Sequence, residues 1–156
     1  MQEFDVIVVG LGPTGAVLAG LLGQRGLRVA VYDRLPDLYP LPRAIGLCHE
    51  AMRIVQELGL ARPILTCTGD YRQTEYRGAD GQLIKRLDKA PPPYRLGWAP
   101  NYVFDQPTFE HTLRARLREL PTVQVATATE VVSFEEFGEF VSIQTRGPDG
   151  QLDSAR

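Results

Sequence analysis

The chain has 156 residues, of which 44% are hydrophobic and 23% charged, with a formal net charge of −2. That length supports one domain with a real core. The balance is ordinary for a globular protein, and the charge leaves no electrostatic footprint for nucleic acid. No apolar run is long enough to span a membrane. Cys48 and Cys67, the two cysteines, fit neither a zinc spacing nor a CxxC pair, so they read as reduced structural thiols. The sequence opens straight into a strand pattern, which leaves no room for a signal peptide. The expectation is a cytoplasmic protein with no nucleic-acid or membrane partner.

The first element is Val6-Ile7-Val8-Val9, a β-branched apolar run that suits a strand buried on both faces of a parallel sheet. Gly10-Leu11-Gly12-Pro13-Thr14-Gly15 follows. Ala16, Val17, Ala19, Leu21 and Leu22 then read as a helix with a small, apolar face, ended by Gly26. Arg28 to Tyr32 is a second strand, closed by Asp33. Strand, glycine turn, helix, strand and acid make a βαβ dinucleotide-binding fingerprint. Gly10 permits the tight turn. Gly12 lets a pyrophosphate reach the backbone, and Gly15 lets the helix lie close to the sheet. Pro13 fits the first helical turn, where its missing N–H is not needed. The free N–H groups and positive end of the helix face the phosphates, and the Asp33 carboxylate can accept from ribose hydroxyls. The motif by itself does not separate NAD from FAD.

Pro36, Pro40 and Pro42 make 35–42 an extended loop. The loop leads to Arg43, whose planar guanidinium suits phosphate oxygens, although a solvated loop arginine fits the spacing equally. Residues 50–58 read as a helix with Ala51, Met52, Val55 and Leu58 on one face and Gly59 as its stop. His49, beside its start, reads as a capping or surface residue rather than a catalyst. Tyr71–Arg77 and Gln82–Leu87 form a hairpin around Gly78-Ala79-Asp80-Gly81. Pro91-Pro92-Pro93 forces a loop, after which Trp98 and Tyr102 could line a pocket, with burial against the sheet as the expectation. Asn101–Asp105 is extended. Phe109, Leu113, Leu117 and Leu120 then recur at helical spacing, with Pro107 in the first turn, Gln106 at the mouth of the helix and Pro121 as its end. Val123–Ala126 is a strand that joins the parallel sheet. A last hairpin turns at Phe137-Gly138, and the 147–150 turn leads into another strand at 151–156.

Gly10-x-Gly12-Pro13-x-Gly15, then Asp33-Arg34, Arg43 and Gln106, in that order, resemble the N-terminal part of class A flavoprotein monooxygenases of the para-hydroxybenzoate hydroxylase type. Pro42-Arg43-Ala44-Ile45-Gly46 and Phe104-Asp105-Gln106-Pro107 resemble the branch that contains 3-(3-hydroxyphenyl)propionate hydroxylase. The resemblance covers the whole chain but only the opening portion of such an enzyme. It implies an α/β fold: a Rossmann-like FAD-binding βαβ unit with a parallel sheet plus antiparallel β hairpins, the whole of 1–156 being the N-terminal part of an FAD-binding domain. It implies that Gly10, Gly12, Pro13, Thr14 and Gly15 hold the FAD pyrophosphate, that Asp33 binds the adenosine ribose, and that Arg34 lies along the adenosine. Arg43 would meet the phosphate or ribityl region, Gln106 the ribityl chain or pyrophosphate, and the Val131 backbone the adenine. NAD(P)H would be the co-substrate, with O2 and a small phenolic aromatic as the other reactants. No catalytic side-chain constellation or metal site is expected in this portion.

The family's second fingerprint, an Asp-Gly pair after a strand, is imitated by Asp80-Gly81 and Asp149-Gly150. The first precedes Gln106 within a hairpin and the second lies in a turn containing Pro148, so neither qualifies. The third fingerprint is absent, as is the substrate-binding sheet. Two other readings remain open at this point: an NAD-dependent dehydrogenase or reductase, and a non-catalytic flavin-binding module.

Overall fold

The computed structural model describes residues 1–156. The chain divides into two compact units, Met1–Pro42 with Pro107–Arg156, and Arg43–Gln106. The first unit is built on a parallel sheet of β1 (Val6–Val9), β2 (Val29–Tyr32) and β8 (Val123–Ala126), in the order β1-β2-β8. Val31 in the middle strand pairs with Val8 on one side and Val125 on the other. β2 is the buried strand, as its uninterrupted Val29-Ala30-Val31 run predicts.

β1 lies at the edge of the sheet, and Val9 is 65% exposed. Its β-branched composition specifies strand conformation but not a neighbour on each side. An apolar cleft of about 560 Å³ runs along it, with Val6 and Val9 on one wall and Phe134, Phe140 and Ile143 on the other.

Helix α1 (Pro13–Gln24) crosses from β1 to β2, and Gly26 closes it in a left-handed conformation with φ of 80°. Its buried residues are Ala16, Ala19, Gly20 and Gly23, so smallness rather than bulk defines the inner face. A Cβ on Gly23 would stand 2.4 Å from Val123 Cγ2, which explains a glycine in the last turn where helix propensity disfavours it. Helix α4 (Gln106–Arg118) buries Phe109, Leu113 and Leu117 on one stripe. It ends before Leu120, which the helical spacing had included.

An antiparallel meander of β9 (Glu130–Glu136), β10 (Val141–Arg146) and β11 (Leu152–Ala155) completes this unit. Phe137 and Phe140 stack across its first turn with ring centroids 5.1 Å apart. β11 is tied to the chain start by Phe4 N–H to the Arg156 carbonyl, Arg156 N–H to the Gln2 carbonyl, and an Arg156–Glu3 ion pair. No helix is long and apolar enough to cross a membrane.

The second unit has an antiparallel sheet of β3 (Gly46–Cys48), β7 (Asn101–Phe104) and β4 (Thr68–Asp70), in the order β3-β7-β4. Helix α2 (His49–Glu57) runs into Leu58 and Gly59, whose φ of 77° stops it, and Met52, Val55 and Leu58 form the expected buried stripe. Helix α3 (Ala61–Leu65) was not foreseen. Pro63 sits in its first turn, where proline is tolerated. The hairpin β5 (Thr74–Arg77) and β6 (Leu83–Leu87) forms as read, except that 71–73 stay outside it. Asp80-Gly81 lies in its turn, which Gly78 closes by donating its N–H to the Gln82 carbonyl. Trp98 and Tyr102 are half-buried rather than core residues. Trp98 Nε1 donates to Gln56 Oε1, and the Tyr102 hydroxyl accepts the Ala99 N–H.

Candidate dinucleotide site

The glycine turn is closed by Gly10, which donates its N–H to the Tyr32 carbonyl at 2.7 Å and has a φ of 101° that only glycine adopts freely. A Cβ on Gly15 would lie 2.0 Å from the Gly10 carbonyl oxygen and 3.3 Å from Val8 Cγ1. The close approach of helix to strand is therefore absolute at this position. Gly12 is the reverse case: no protein atom lies within 4 Å of where its Cβ would be, and its φ of −77° is open to any residue. The space beside it is open, and as the residue that caps α1 it sits where glycine is favoured over alanine. Pro13 occupies the first turn of α1, and the helical ladder begins with Ala16 N–H to the Gly12 carbonyl. The N–H groups of Gly12, Thr14 and Gly15 are left without an acceptor in the protein, the usual condition of a helix start. Several outward donors, a helix dipole and an absent side chain form a fit for a phosphate group.

Asp33 does more than the sequence suggested. One carboxylate oxygen accepts the Leu11 N–H at 2.6 Å and the other accepts the Leu35 N–H at 2.8 Å. Its backbone N–H goes to the Ala126 carbonyl, and its own carbonyl accepts the Thr129 N–H. The acid thus ties together the turns after β1, β2 and β8. Each carboxylate oxygen has a second lone pair, so acceptor capacity toward a ribose hydroxyl remains.

Gly10, Asp33, Arg34 and Val131 line one cavity of about 240 Å³, together with Tyr32 and Thr129. This is below the roughly 300–1,000 Å³ of pockets that hold a whole drug-sized ligand, and suits one part of a dinucleotide. Thr129 reaches the cavity from the turn between β8 and β9. Ala128 has a φ of 51°, unusual for a residue with a Cβ, and donates its N–H to the Leu35 carbonyl. No glycine or proline marks this bend. Burial, with the Asp153 charge adding to it, pushes the Tyr32 phenol above its ordinary value.

In the other unit the structure joins Arg43 and Gln106. Gln106 is 5% exposed, and its Oε1 accepts the Arg43 N–H at 2.8 Å and the Ala44 N–H at 2.7 Å. Its side chain, read as a ligand contact, holds the loop that carries Arg43. His49 opens α2 with Nε2 3.1 Å from Glu50 Oε1 and a buried Nδ1 without a partner. Burial raises the Cys67 thiol, and the nearby Asp105 charge adds to the shift.

Residues 3–154 match the family model described as FAD binding domain. The chain is 32% identical over 152 residues to a 3-(3-hydroxy-phenyl)propionate/3-hydroxycinnamic acid hydroxylase from Klebsiella pneumoniae, covering 97% of this chain and 27% of that protein. It is 37% identical over 135 residues to a probable NADH-specific resorcinol 4-hydroxylase from Rhodococcus jostii, covering 86% and 25% of the two chains. Among solved structures it superposes on p-nitrophenol 4-monooxygenase from Pseudomonas putida with a TM-score of 0.86 and 27% identity, over 100% of this chain and 40% of that one. A flavin-dependent monooxygenase solved with FAD and substrate shares the fold, at a TM-score of 0.83 and 21% identity over 99% and 29% of the two chains. The chain spans about a quarter of the length of the curated relatives it matches.

Proposed function

This chain belongs to the FAD binding domain family, and on that premise we propose that it forms the adenosine- and pyrophosphate-holding part of an FAD-dependent aromatic hydroxylase. One observation carries the reading most directly. Gly12, Thr14 and Gly15 present acceptor-free N–H groups beside a turn that shares a cavity with Asp33, Arg34 and Val131, inside a chain matched to that family over 3–154.

The roles follow from these placements. The backbone from Gly10 to Gly15 receives the pyrophosphate, with Pro13 setting the first helical turn. Asp33 keeps the turn in shape and offers its remaining lone pairs to the ribose. Arg34 and the Val131 backbone border the adenosine. Gln106 fixes the loop that carries Arg43, the arginine that the resemblance assigns to the phosphate or ribityl stretch. FAD bound there supplies the redox chemistry that links NAD(P)H to O2, and the protein's part is to hold, orient and shield it. The names of the relatives support a small hydroxylated aromatic as substrate.

The test is to purify the full-length polypeptide that carries this sequence, strip it, and titrate the apoprotein with FAD and with NAD. Yellow protein with saturable flavin quenching and coupled formation of a hydroxylated aromatic is the expected result. Tight NAD binding with no flavin uptake under any reconstitution would replace this reading by a nicotinamide-dependent dehydrogenase or reductase. Flavin uptake without turnover on any phenolic acid would leave a non-catalytic flavin module.

A further inference from the structure

Leu11 is held on three sides. Its side chain is 1% exposed, its N–H donates to Asp33 Oδ2, and its carbonyl accepts from Arg114 Nη2 at 3.3 Å. Arg114 arrives from α4, 103 residues further along the chain. It is half-buried, and its Nε is buried without a hydrogen-bond partner. No carboxylate is among its hydrogen-bond partners.

The geometry of the peptide shows what the arrangement does. The unit joining Leu11 to Gly12 is planar and trans, so its C=O and N–H point in opposite directions. A donor that fixes the Leu11 carbonyl therefore fixes the direction of the Gly12 N–H on the far side. That N–H is one of the groups without an acceptor in the protein. A charged donor on the carbonyl also polarises the amide, so the N–H becomes a stronger donor in its turn. Asp33 acts on the preceding peptide unit. The two side chains together hold Leu11 between them, so the turn keeps its binding shape without a ligand.

We propose that Arg114 is a positioning residue for the phosphate-binding turn: through the Leu11 carbonyl it orients and polarises the Gly12 N–H that meets the cofactor's pyrophosphate. The proposal rests on the turn being a dinucleotide phosphate site, and deepens that reading by adding a residue from outside the fingerprint.

The test uses the full-length polypeptide, stripped of cofactor, with Arg114→Met and Arg114→Lys. The measurements are the Kd for FAD by flavin quenching, the Kd for ADP by calorimetry, and the unfolding temperature of the apoprotein. The expected result is a tenfold or larger rise in both Kd values for Arg114→Met. Most of the affinity returns in Arg114→Lys, and the apoprotein unfolds within about 2 °C of wild type. Unchanged FAD and ADP affinities in Arg114→Met would overturn the proposal. So would a loss of affinity that tracks a matching loss of apoprotein stability and that lysine does not restore, since that marks a purely structural arginine. If wild type takes up no FAD, the reading above fails by itself, and the ADP titrations still decide the role of Arg114.

Discussion

Gly12 and Gly15 should separate binding from folding. At Gly15 an added Cβ would meet the Gly10 carbonyl oxygen at 2.0 Å. That is backbone, so it cannot rotate aside; helix or strand must move by about an ångström to restore contact distance. Overpacking of this kind costs about 1–3 kcal/mol and here should reach the upper end. The gain of roughly 1 kcal/mol for Ala over Gly in a helix does not offset it. Gly15→Ala should therefore destabilise the apoprotein by about 2 kcal/mol. At Gly12 the added methyl meets nothing in the protein. Entropy lost from the unfolded chain favours Ala by about 0.4–1 kcal/mol, and the weaker capping by Ala takes back a similar amount. Gly12→Ala should leave apoprotein stability within about 0.5 kcal/mol of wild type. On the proposed role of the turn, the same methyl would stand in the path of the pyrophosphate. Two lost charge-assisted hydrogen bonds, at about 1.5 kcal/mol or more each, correspond to a rise in Kd on the order of 100-fold. Urea unfolding of the apoprotein and flavin-quenching titrations of both variants make the measurement. FAD binding at wild-type affinity in Gly12→Ala, or undiminished stability in Gly15→Ala, would refute the reasoning.

Gln106→Ala should leave the Arg43 and Ala44 N–H groups without their acceptor, a cost of about 1–3 kcal/mol. Amide exchange at 43–44 should rise well above that at α2, and protection equal to wild type would show that water replaces the carboxamide without loss. Stability should fall in alkali. Burial raises the Cys67 thiol and the Tyr32 phenol in the folded state, so folding favours their protonated forms. Their contribution is complete below the unfolded-state values of 9.0 and 10.0 and declines as pH rises through the higher folded values. Urea midpoints between pH 8 and 11 should trace that decline, and Cys67→Ser should flatten its first part; an unchanged slope would rule Cys67 out as its source. Residues 1–156 expressed alone should hydroxylate nothing and hold FAD weakly, because the apolar cleft beside the β1 edge is uncovered and such an edge promotes association. Coupled product formation near the rate of a full-length relative would refute this.

The difference between what the sequence disclosed and what it withheld follows contact range. The glycine turn was legible because each requirement is local. Gly10 needs a positive φ, Gly15 needs helix–strand contact within five residues, and the Val-rich run specifies a strand without knowing its neighbours. The neighbours themselves are not local information: β1 lies at the edge of its sheet and leaves Val9 exposed. The walls of the site are set by long-range partners that leave no periodic trace. Thr129 reaches Asp33 through its backbone, Ala128 takes a glycine-like φ without being glycine, and Arg114 on α4 resembles any arginine on a helix. Gln106 was located correctly at a helix mouth, yet the loop it grips lies more than 60 residues back. Asp33 joins both kinds of information. Its position marks it as a ribose acceptor, while its two carboxylate hydrogen bonds shape the turn before any ribose arrives. An acid selected only for a ligand would leave the apoprotein indifferent to its loss. This one carries the Leu11 and Leu35 N–H groups, so Asp33→Ala should loosen the glycine turn and, on the proposed role, remove a ribose contact with it. A loss of affinity in that variant therefore reports the sum, and Asp33→Asn, which keeps one acceptor oxygen, is the substitution that begins to separate the two.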